Sequence, residues 1–370
     1  MMSARRILIL GSFMNLAGAP LAALRLAHGF AGRGHAVEAV FLYEKAPMAA
    51  PDHPYRVLLD QNSPGPVGYL RLVWRTFALI RSERPDAVIT FLPLANVLGL
   101  FLAWLLRVPS RIASHRVTVD STHPLLQRID ALLMRFGVYT DVVAVSEGVR
   151  QSCRLYSASD RDRVDVVHNG LLGFRPSALT RAQAREAFGL PADRFVILAV
   201  GRLSAQKNFG FLVTLAARCP DALWIIAGEG PQRDELSARV AASGLEDSVR
   251  LLGAVPRARM PDLLAAADLF AQPSLFEGQS NALLEAMSAG LPSISTDIPE
   301  QRETLAEPDG AVAGALLPVD DVEAWTLATS RFMGDAGARS AARDVAARRA
   351  ALFTFDRMMD GFERIVLRRA

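Results

Sequence analysis

Three polar stretches, each directly following a short apolar run, hold the residues best equipped for chemistry. Val196-Ile197-Leu198-Ala199-Val200 runs into Gly201-Arg202-Leu203 and then Gln206-Lys207-Asn208. Arg can grip two oxygens at once and Lys supplies a point charge, so Arg202 and Lys207 together suit a diphosphate. Taken singly they would equally be solvated surface charges. Trp224-Ile225-Ile226-Ala227 runs into Gly228-Glu229-Gly230-Pro231, where the glycines let a backbone approach a ligand and Pro231 can open a helix. An ordinary tight turn uses the same residues. The third stretch, Pro273 to Pro292, reads as strand end, loop and helix, with Glu277 in the loop and Glu285 in the helix. Ser280 or Asn281 is the N-cap candidate between them, and the free N–H groups at a helix start favour phosphate oxygens. Two carboxylates around such a turn can each accept hydrogen bonds from paired hydroxyls, which ribose and sugar rings both offer. The apolar neighbours Leu283, Leu284, Ala286 and Met287 speak against a purely solvated place for Glu285.

These residues need a scaffold, and the surrounding pattern supplies one. In the first half, β-type runs at Ile7–Gly11, Ala36–Leu42, Arg56–Leu59, Ala87–Phe91, Arg111–Ser114, Val142–Val145 and Val164–His168 alternate with helical stretches such as Leu21–Phe30. Strands separated by helices indicate a parallel, doubly wound α/β sheet. The rhythm stops at Asn169-Gly170, and the polar segment through Asp193, with Pro176 and a helix-like Arg181–Phe188, reads as a connection. A second series follows at Phe195–Val200, Leu223–Ala227, Val249–Leu252, Leu269–Gln272 and Ser293–Ser295. The expectation is two Rossmann-like domains, residues 1–172 and 173–352, facing across a cleft at the carboxyl ends of their strands, where open α/β sheets bind ligands. Residues 353–370 form a helix expected to cross back to the first domain.

In this order and spacing, Val167-His168-Asn169-Gly170, Gly201-Arg202-Leu203 with Gln206-Lys207-Asn208, Gly228-Glu229-Gly230-Pro231, Ala267-Asp268-Leu269-Phe270 and the Glu277-to-Glu285 block with Ala286-Met287-Ser288-Ala289-Gly290-Leu291-Pro292 are specific. Over nearly its whole length the chain resembles the retaining glycosyltransferases with the GT-B fold, family 4 among glycosyltransferases. The resemblance implies transfer of a sugar from a nucleotide-sugar, a UDP-sugar by expectation, to a saccharide or polyprenyl-linked acceptor in surface-polysaccharide assembly. Residues 1–172 would hold the acceptor and 173–352 the donor. It implies that Arg202 and Lys207 hold the diphosphate and that Glu285 binds the ribose hydroxyls. Glu277 would sit by the transferred sugar, with contacts from Gly278, Gln279, Ser280, Asn281 and Leu283, while Gly201 and Gly230 would line the donor site. Val255, in Gly253-Ala254-Val255, would lie near the base. Gly18, in the turn Leu16-Ala17-Gly18-Ala19, would close over the phosphates, and His115 would face the reacting sugar, with Arg116 and His123 as nearby alternatives. Two positions depart from the family pattern: Ala17-Gly18-Ala19-Pro20 where paired glycines are common, and Gln279 where an aromatic is common.

Composition bounds the partners. The chain of 370 residues is 51% hydrophobic and 21% charged, as a globular protein with ample core should be. Its net charge of +3 is too mild an excess for nucleic-acid binding, which calls for a clustered basic stripe with aromatics. Two separated cysteines, Cys153 and Cys219, suggest neither a disulfide framework nor a zinc site, and a cytoplasmic location is expected. The basic N-terminus breaks its apolar run too soon for a signal peptide. The apolar run Leu92–Leu106 is too short to span a bilayer and reads as a buried helix. Leu70–Arg81, with three arginines and Trp74, is suited either to solvation outside a core helix or to peripheral contact with an anionic inner-membrane surface. No metal and no cofactor are expected, since Asp160-Arg161-Asp162 reads as a solvated turn and the nucleotide-sugar is a substrate. Other nucleotide-sugar chemistry, an epimerase, hydrolase or sugar-phosphate synthase, would use the same diphosphate residues. A nicotinamide oxidoreductase would need Gly-x-Gly-x-x-Gly after the first strand, where the chain reads Gly11-Ser12-Phe13-Met14-Asn15-Leu16. A non-catalytic sugar-nucleotide binder would not need Arg202, Lys207, Glu277 and Glu285 together.

Overall fold

The computed structural model describes residues 4–15, 18–45, 53–60, 65–119 and 122–369. The chain divides into two compact units: the chain up to Gly170 together with the segment from Phe355, and Leu171–Thr354 between them.

The first unit holds β1 (Arg6–Met14), β2 (Ala36–Glu44), β3 (Tyr55–Leu59), β4 (Ala87–Phe91), β5 (Ser110–His115), β6 (Asp141–Ala144) and β7 (Val164–Val166). They form one sheet in the order β3-β2-β1-β4-β5-β6-β7, with every pairing parallel. Successive side chains of a strand point to opposite faces, so Leu8 and Leu10 enter one core while Ile7 and Ile9 enter the other. A parallel sheet covered on both faces favours apolar residues along the strand, and β4 is buried from end to end, its one polar residue, Thr90, donating its hydroxyl to the Ile112 carbonyl at 3.3 Å. Its helices are α1 (Gly18–Gly32), α2 (Pro66–Glu83), α3 (Pro93–Leu105), α4 (Pro124–Arg135), α5 (Glu147–Ser152) and α6 (Ala158–Arg161). α2, α3 and α4 pack side by side. Only one side of α3 is buried: Leu100, Leu102 and Ala103 are inside, while Phe101, Trp104 and Leu105 face outward.

The second unit holds β8 (Phe195–Val200), β9 (Ala222–Ala227), β10 (Val249–Gly253), β11 (Leu269–Gln272), β12 (Ser293–Thr296) and β13 (Gly314–Leu317), again all parallel, in the order β10-β9-β8-β11-β12-β13. Around them lie α7 (Arg181–Ala187), α8 (Phe209–Ala216), α9 (Arg233–Ala242), α10 (Met260–Ala266), α11 (Asn281–Ser288), α12 (Pro299–Leu305), α13 (Val322–Gly334) and α14 (Ala336–Ala350). Strand β13 goes beyond the strands expected from sequence; its four residues, Gly-Ala-Leu-Leu, are too few and too lacking in β-branched side chains to stand out. The segment that reads as a connection packs into this unit. Thr180 and Gln183 form a capping box at the start of α7, and Arg181 and Arg185 both pair with buried Asp268.

A last helix, α15 (Phe355–Leu367), belongs to the first unit. Met358, Met359, Phe362, Ile365 and Val366 enter the same core as Ile7, Phe30 and Phe41. Polar contacts fasten it: Glu363 accepts from His35 Nε2 at 3.1 Å and pairs with Arg33, and Arg368 pairs with Asp165 at 2.6 Å.

Candidate functional site

In each sheet the strand order reverses once, between β1 and β4 and between β8 and β11. At such a switch point the loops leaving the two strands diverge and open a crevice at their carboxyl ends. Arg202 and Lys207 lie in the loop leaving β8, and Glu277 lies in the loop leaving β11. Neither loop is left to chance. The Gln206 backbone carbonyl accepts from the Leu275 N–H at 2.9 Å and its side chain donates through Nε2 to the Phe276 carbonyl at 2.9 Å, binding the β8 loop to the β11 loop. The loop leaving β9 is tied in as well, through Leu203 N–H to the Glu229 carbonyl at 2.9 Å and Gly228 N–H to the Gly253 carbonyl at 2.8 Å.

The geometry brings Lys207 and Glu277 together, with Nζ to Oε1 at 2.5 Å and both side chains largely buried. The same oxygen lies 3.4 Å from Gln272 Nε2, and Gln272 Oε1 accepts from Ser280 Oγ at 2.8 Å. Ser280 in turn caps α11, its Oγ accepting from the Leu283 N–H at 3.3 Å. Of the two N-cap candidates, the structure therefore selects Ser280. A chain of four polar side chains thus runs from a cation to a helix N-terminus, where partial positive charge collects. Gln279 is buried beside this chain, Asn281 opens the helix, and Glu285 lies half-buried on its second turn. Leu283 is fully buried in the core, so its backbone rather than its side chain is placed at the helix start. Arg202 is exposed, and no ion pair holds its guanidinium among the described residues.

Two glycines have a clear steric reason. Gly228 adopts φ +146°, and a Cβ there would collide with the carbonyl of Gly201. At Gly230 a Cβ would run into the backbone of Leu203. Their missing side chains let the β8 and β9 loops touch each other, which explains the motif through backbone packing. Val255 is partly buried in the loop after β10. Asp268 pairs with Arg181 and Arg185 and accepts from the Val196 N–H at 2.8 Å, a structural brace at the start of β8 and β11.

In the first unit, Gly18 is exposed at the start of α1, while Leu16 and Ala17 of the same turn lie outside the described residues. His115 ends β5 and is buried. Its Nε2 lies 3.1 Å from Tyr156 Oη and 3.4 Å from Asp130 Oδ2. Asp130 also accepts from Tyr156 at 2.5 Å and Tyr139 at 3.0 Å. Burial raises the Asp130 carboxyl, but the charge and hydrogen bond of His115 with the two tyrosine hydroxyls outweigh it, leaving the group below its ordinary value. Both tyrosines are pushed well above theirs, by burial and then by Asp130. Such an anchored imidazole keeps one orientation. His123 is exposed and instead caps α4, its Nδ1 accepting from the Leu125 N–H at 3.2 Å. Asp160 lies inside α6 and is half-buried, not in the solvated turn expected from sequence: Ser157 caps that short helix, and Asp160 accepts from Ser157 Oγ at 2.6 Å and pairs with Arg163.

Sequence reasoning did not find Gln272, Asp130, Tyr139 or Tyr156. Gln272 left one signal, an amide at the end of the apolar run Leu269-Phe270-Ala271. The other three left none, because residues distant in sequence meet only in the folded unit.

Residues 180–349 match the family described as Glycosyl transferases group 1, and residues 17–170 match Glycosyl transferase 4-like domain. The 2-deoxystreptamine N-acetyl-D-glucosaminyltransferase of Streptomyces fradiae is 30% identical over 280 residues, 70% of this chain and 65% of that protein. The UDP-Gal:alpha-D-GlcNAc-diphosphoundecaprenol alpha-1,3-galactosyltransferase of Escherichia coli is 28% identical over 273 residues, 70% of this chain and 69% of that one. Several further curated relatives are matched over about half of their length. Among solved structures, Anabaena HepE in complex with UDP and glucose superposes with a TM-score of 0.83 at 22% identity, over 97% of this chain and 98% of that one, which shows a shared fold.

Proposed function

Since the chain belongs to the family of glycosyl transferases group 1, we propose that it moves a sugar from a UDP-sugar to a saccharide or polyprenyl-linked acceptor in glycoconjugate assembly, with retention at the anomeric carbon. The single observation that carries this is the set at the β8/β11 switch point: Lys207, Glu277, Gln272 and Ser280 linked to the capped start of α11, with the exposed Arg202 in the same β8 loop. Further support comes from the names of similar proteins, an E. coli relative whose name contains UDP-Gal and a diphosphoundecaprenol acceptor, and a HepE structure holding UDP and glucose.

In this reading the acceptor hydroxyl oxygen attacks the anomeric carbon on the face the diphosphate leaves. The bond from that carbon to the phosphate oxygen breaks, and a phosphate oxygen of the leaving group takes the hydroxyl proton. Arg202, Lys207 and the α11 N-terminus meet the charge that grows on the departing diphosphate, the largest need when the leaving group is already activated. With those cations supplied by the protein, the step uses no metal. Glu277 orients the transferred sugar, and Glu285 accepts from the ribose hydroxyls. Val255 lies by the base, and His115, held by Asp130 and Tyr156, and Gly18 are the first unit's candidates for contact with the sugar and the phosphates.

The outer face of α2 gives the acceptor reading a physical side. Leu70 is 71% exposed and Trp74 69%, with Val67 and Val73 beside them and Arg71 and Arg81 interleaved. With the outward Phe101 and Trp104 of α3, this face suits an anionic membrane surface. No helix among the described residues is long and apolar enough to cross a membrane.

The test is thermal shift in EDTA with UDP-, GDP- and ADP-sugars beside NAD, with Glu285→Ala as control. The expected result is a rise in Tm with the UDP series alone, lost in Glu285→Ala. A response to NAD only, or to nothing, overturns the proposal, and donor turnover without acceptor would favour a hydrolase or epimerase.

A further inference from the structure

A second place for a ligand lies wholly inside the first unit. At the carboxyl ends of β4 and β5, a small pocket that opens in part to solvent is walled by Asn96, Ser114, His115, Arg116, Gln127 and Asp130. Helices α3 and α4 both begin at its rim, so two helix N-termini lend it positive potential. Arg116 is the feature that needs explaining. It is only 8% exposed, yet no carboxylate pairs with it among the described residues. One nitrogen, Nη2, donates to Asn169 Oδ1, and the guanidinium carbon sits 5.6 Å from the centre of the Phe91 ring. The other, Nη1, is buried with no hydrogen-bond partner, as is the hydroxyl of Ser114 in the same wall. Burial, and then the like charge of Arg25 on α1, push Arg116 down to about 9. The carboxylate of Asp130 is already engaged by His115, Tyr139 and Tyr156.

A buried guanidinium with unmet donors and no counter-charge is costly, and an anion bound against it removes the cost. We infer that this cavity binds a phosphoryl group carried by the acceptor, with Arg116 as its principal ligand and Ser114 as a second donor. Assigning that group to the acceptor rests on the transfer reading above, in which the donor's diphosphate has its own cations in the second unit. The acceptor class is thereby narrowed to phosphorylated saccharides, the phosphate being either a monoester on a sugar or the diphosphate of a carrier.

The test uses the full chain saturated with UDP, so that the donor site is filled, and follows Tm on titration with inorganic phosphate (monoester arm) and pyrophosphate (diphosphate arm). Arg116→Gln and Arg116→Lys are compared. One arm is expected to stabilise the parent protein, with affinity lost roughly tenfold or more in Arg116→Gln, the scale of a charge-assisted bidentate contact, and partly kept in Arg116→Lys. Without added anion, Arg116→Gln should melt no lower than the parent. If Arg116 served only to hold Asn169, Arg116→Gln would melt lower and neither anion would stabilise the parent. That pattern overturns the inference, as does an equal anion response in Arg116→Gln or stabilisation by glucuronate in place of both phosphates. The UDP response is a separate readout: its absence counts against the donor reading alone, and the anion titration is then read without UDP in Arg202→Ala.

Discussion

Arg202 and Lys207 are proposed to share one task, yet the fold treats them differently, and removing each should separate binding from stability. Arg202 is exposed and unpaired among the described residues, so Arg202→Ala should leave stability within about 0.5 kcal/mol of the parent. Lys207 is 14% exposed and its partner Glu277 is 7% exposed, at 2.5 Å. Removing one partner of a buried pair costs about 3–5 kcal/mol, because the other charge is left without its counter-ion. Here Gln272 Nε2, 3.4 Å from the same oxygen, remains to soften that loss. About 2–4 kcal/mol is therefore expected for Lys207→Ala, or ~4–16 °C in Tm at the 2–4 °C per kcal/mol typical of domains of this size. Adding Glu277→Gln removes the stranded charge and should restore most of the loss, a coupling that a double-mutant cycle reads directly. Thermal unfolding by circular dichroism without ligand measures stability, and calorimetric titration with UDP measures binding. Both single variants should lose UDP affinity. If Lys207→Ala melts with Arg202→Ala, or if the double variant is as unstable as Lys207→Ala, the ion pair is not the constraint described above.

Three other expectations follow from the same geometry. Gly228→Ala places a methyl against the Gly201 carbonyl at a φ that L-residues rarely adopt, so it should cost roughly 2 kcal/mol or more and weaken UDP binding; a Tm within error of the parent would show that the loops can part freely. Asp130→Asn should destabilise by about 1–3 kcal/mol at pH 7. Because the folded carboxyl titrates below the unfolded one, that stability is complete above the unfolded value near 4 and is lost as pH falls through the folded value, so parent and variant should converge in acid; a gap independent of pH contradicts the assignment. In flotation with anionic vesicles, Leu70→Ser/Trp74→Ala should lower binding about tenfold or more, whereas Arg75→Ala, whose guanidinium is already bonded to the Leu58 carbonyl, should matter less than Arg71→Ala; no binding by the parent ends the membrane proposal.

How much of this could be read from the sequence depended on whether the signal was local. Most strands of both sheets were legible because a strand buried on both faces is rich in apolar and β-branched residues, as Val196–Val200 and Ala87–Phe91 are. The polar residues after those runs were legible for the same reason, since a break in such a run marks where the loop begins. Strand β13 was not, because four residues without a β-branched side chain carry little pattern. The Lys207–Glu277 pair could not be seen either: its members lie on different loops, and only the latch from Gln206 to Leu275 and Phe276 sets their distance. The same holds for Arg116, named beside His115 by position alone. Its want of a counter-ion is a property of the folded environment, and an arginine in a sequence shows nothing of that.

The return of α15 to the first unit has a consequence for synthesis. Glu363 meets Arg33 and His35 across more than 320 positions of chain, and the core around Phe30 is closed by Met359 and Phe362. On the ribosome, residues 171–354 are all released before the helix that completes the first unit emerges. The usual order of folding, N-terminal part first, is therefore reversed for completion: the middle of the chain can reach its native state while the beginning still waits for the end. During that interval the part of the α1 surface that α15 covers, around Phe30, is open for the time taken to translate an entire domain. A chaperone that shields α1 until release, or a slow codon stretch ahead of Phe355, would change the yield of native protein without touching any residue that binds a substrate.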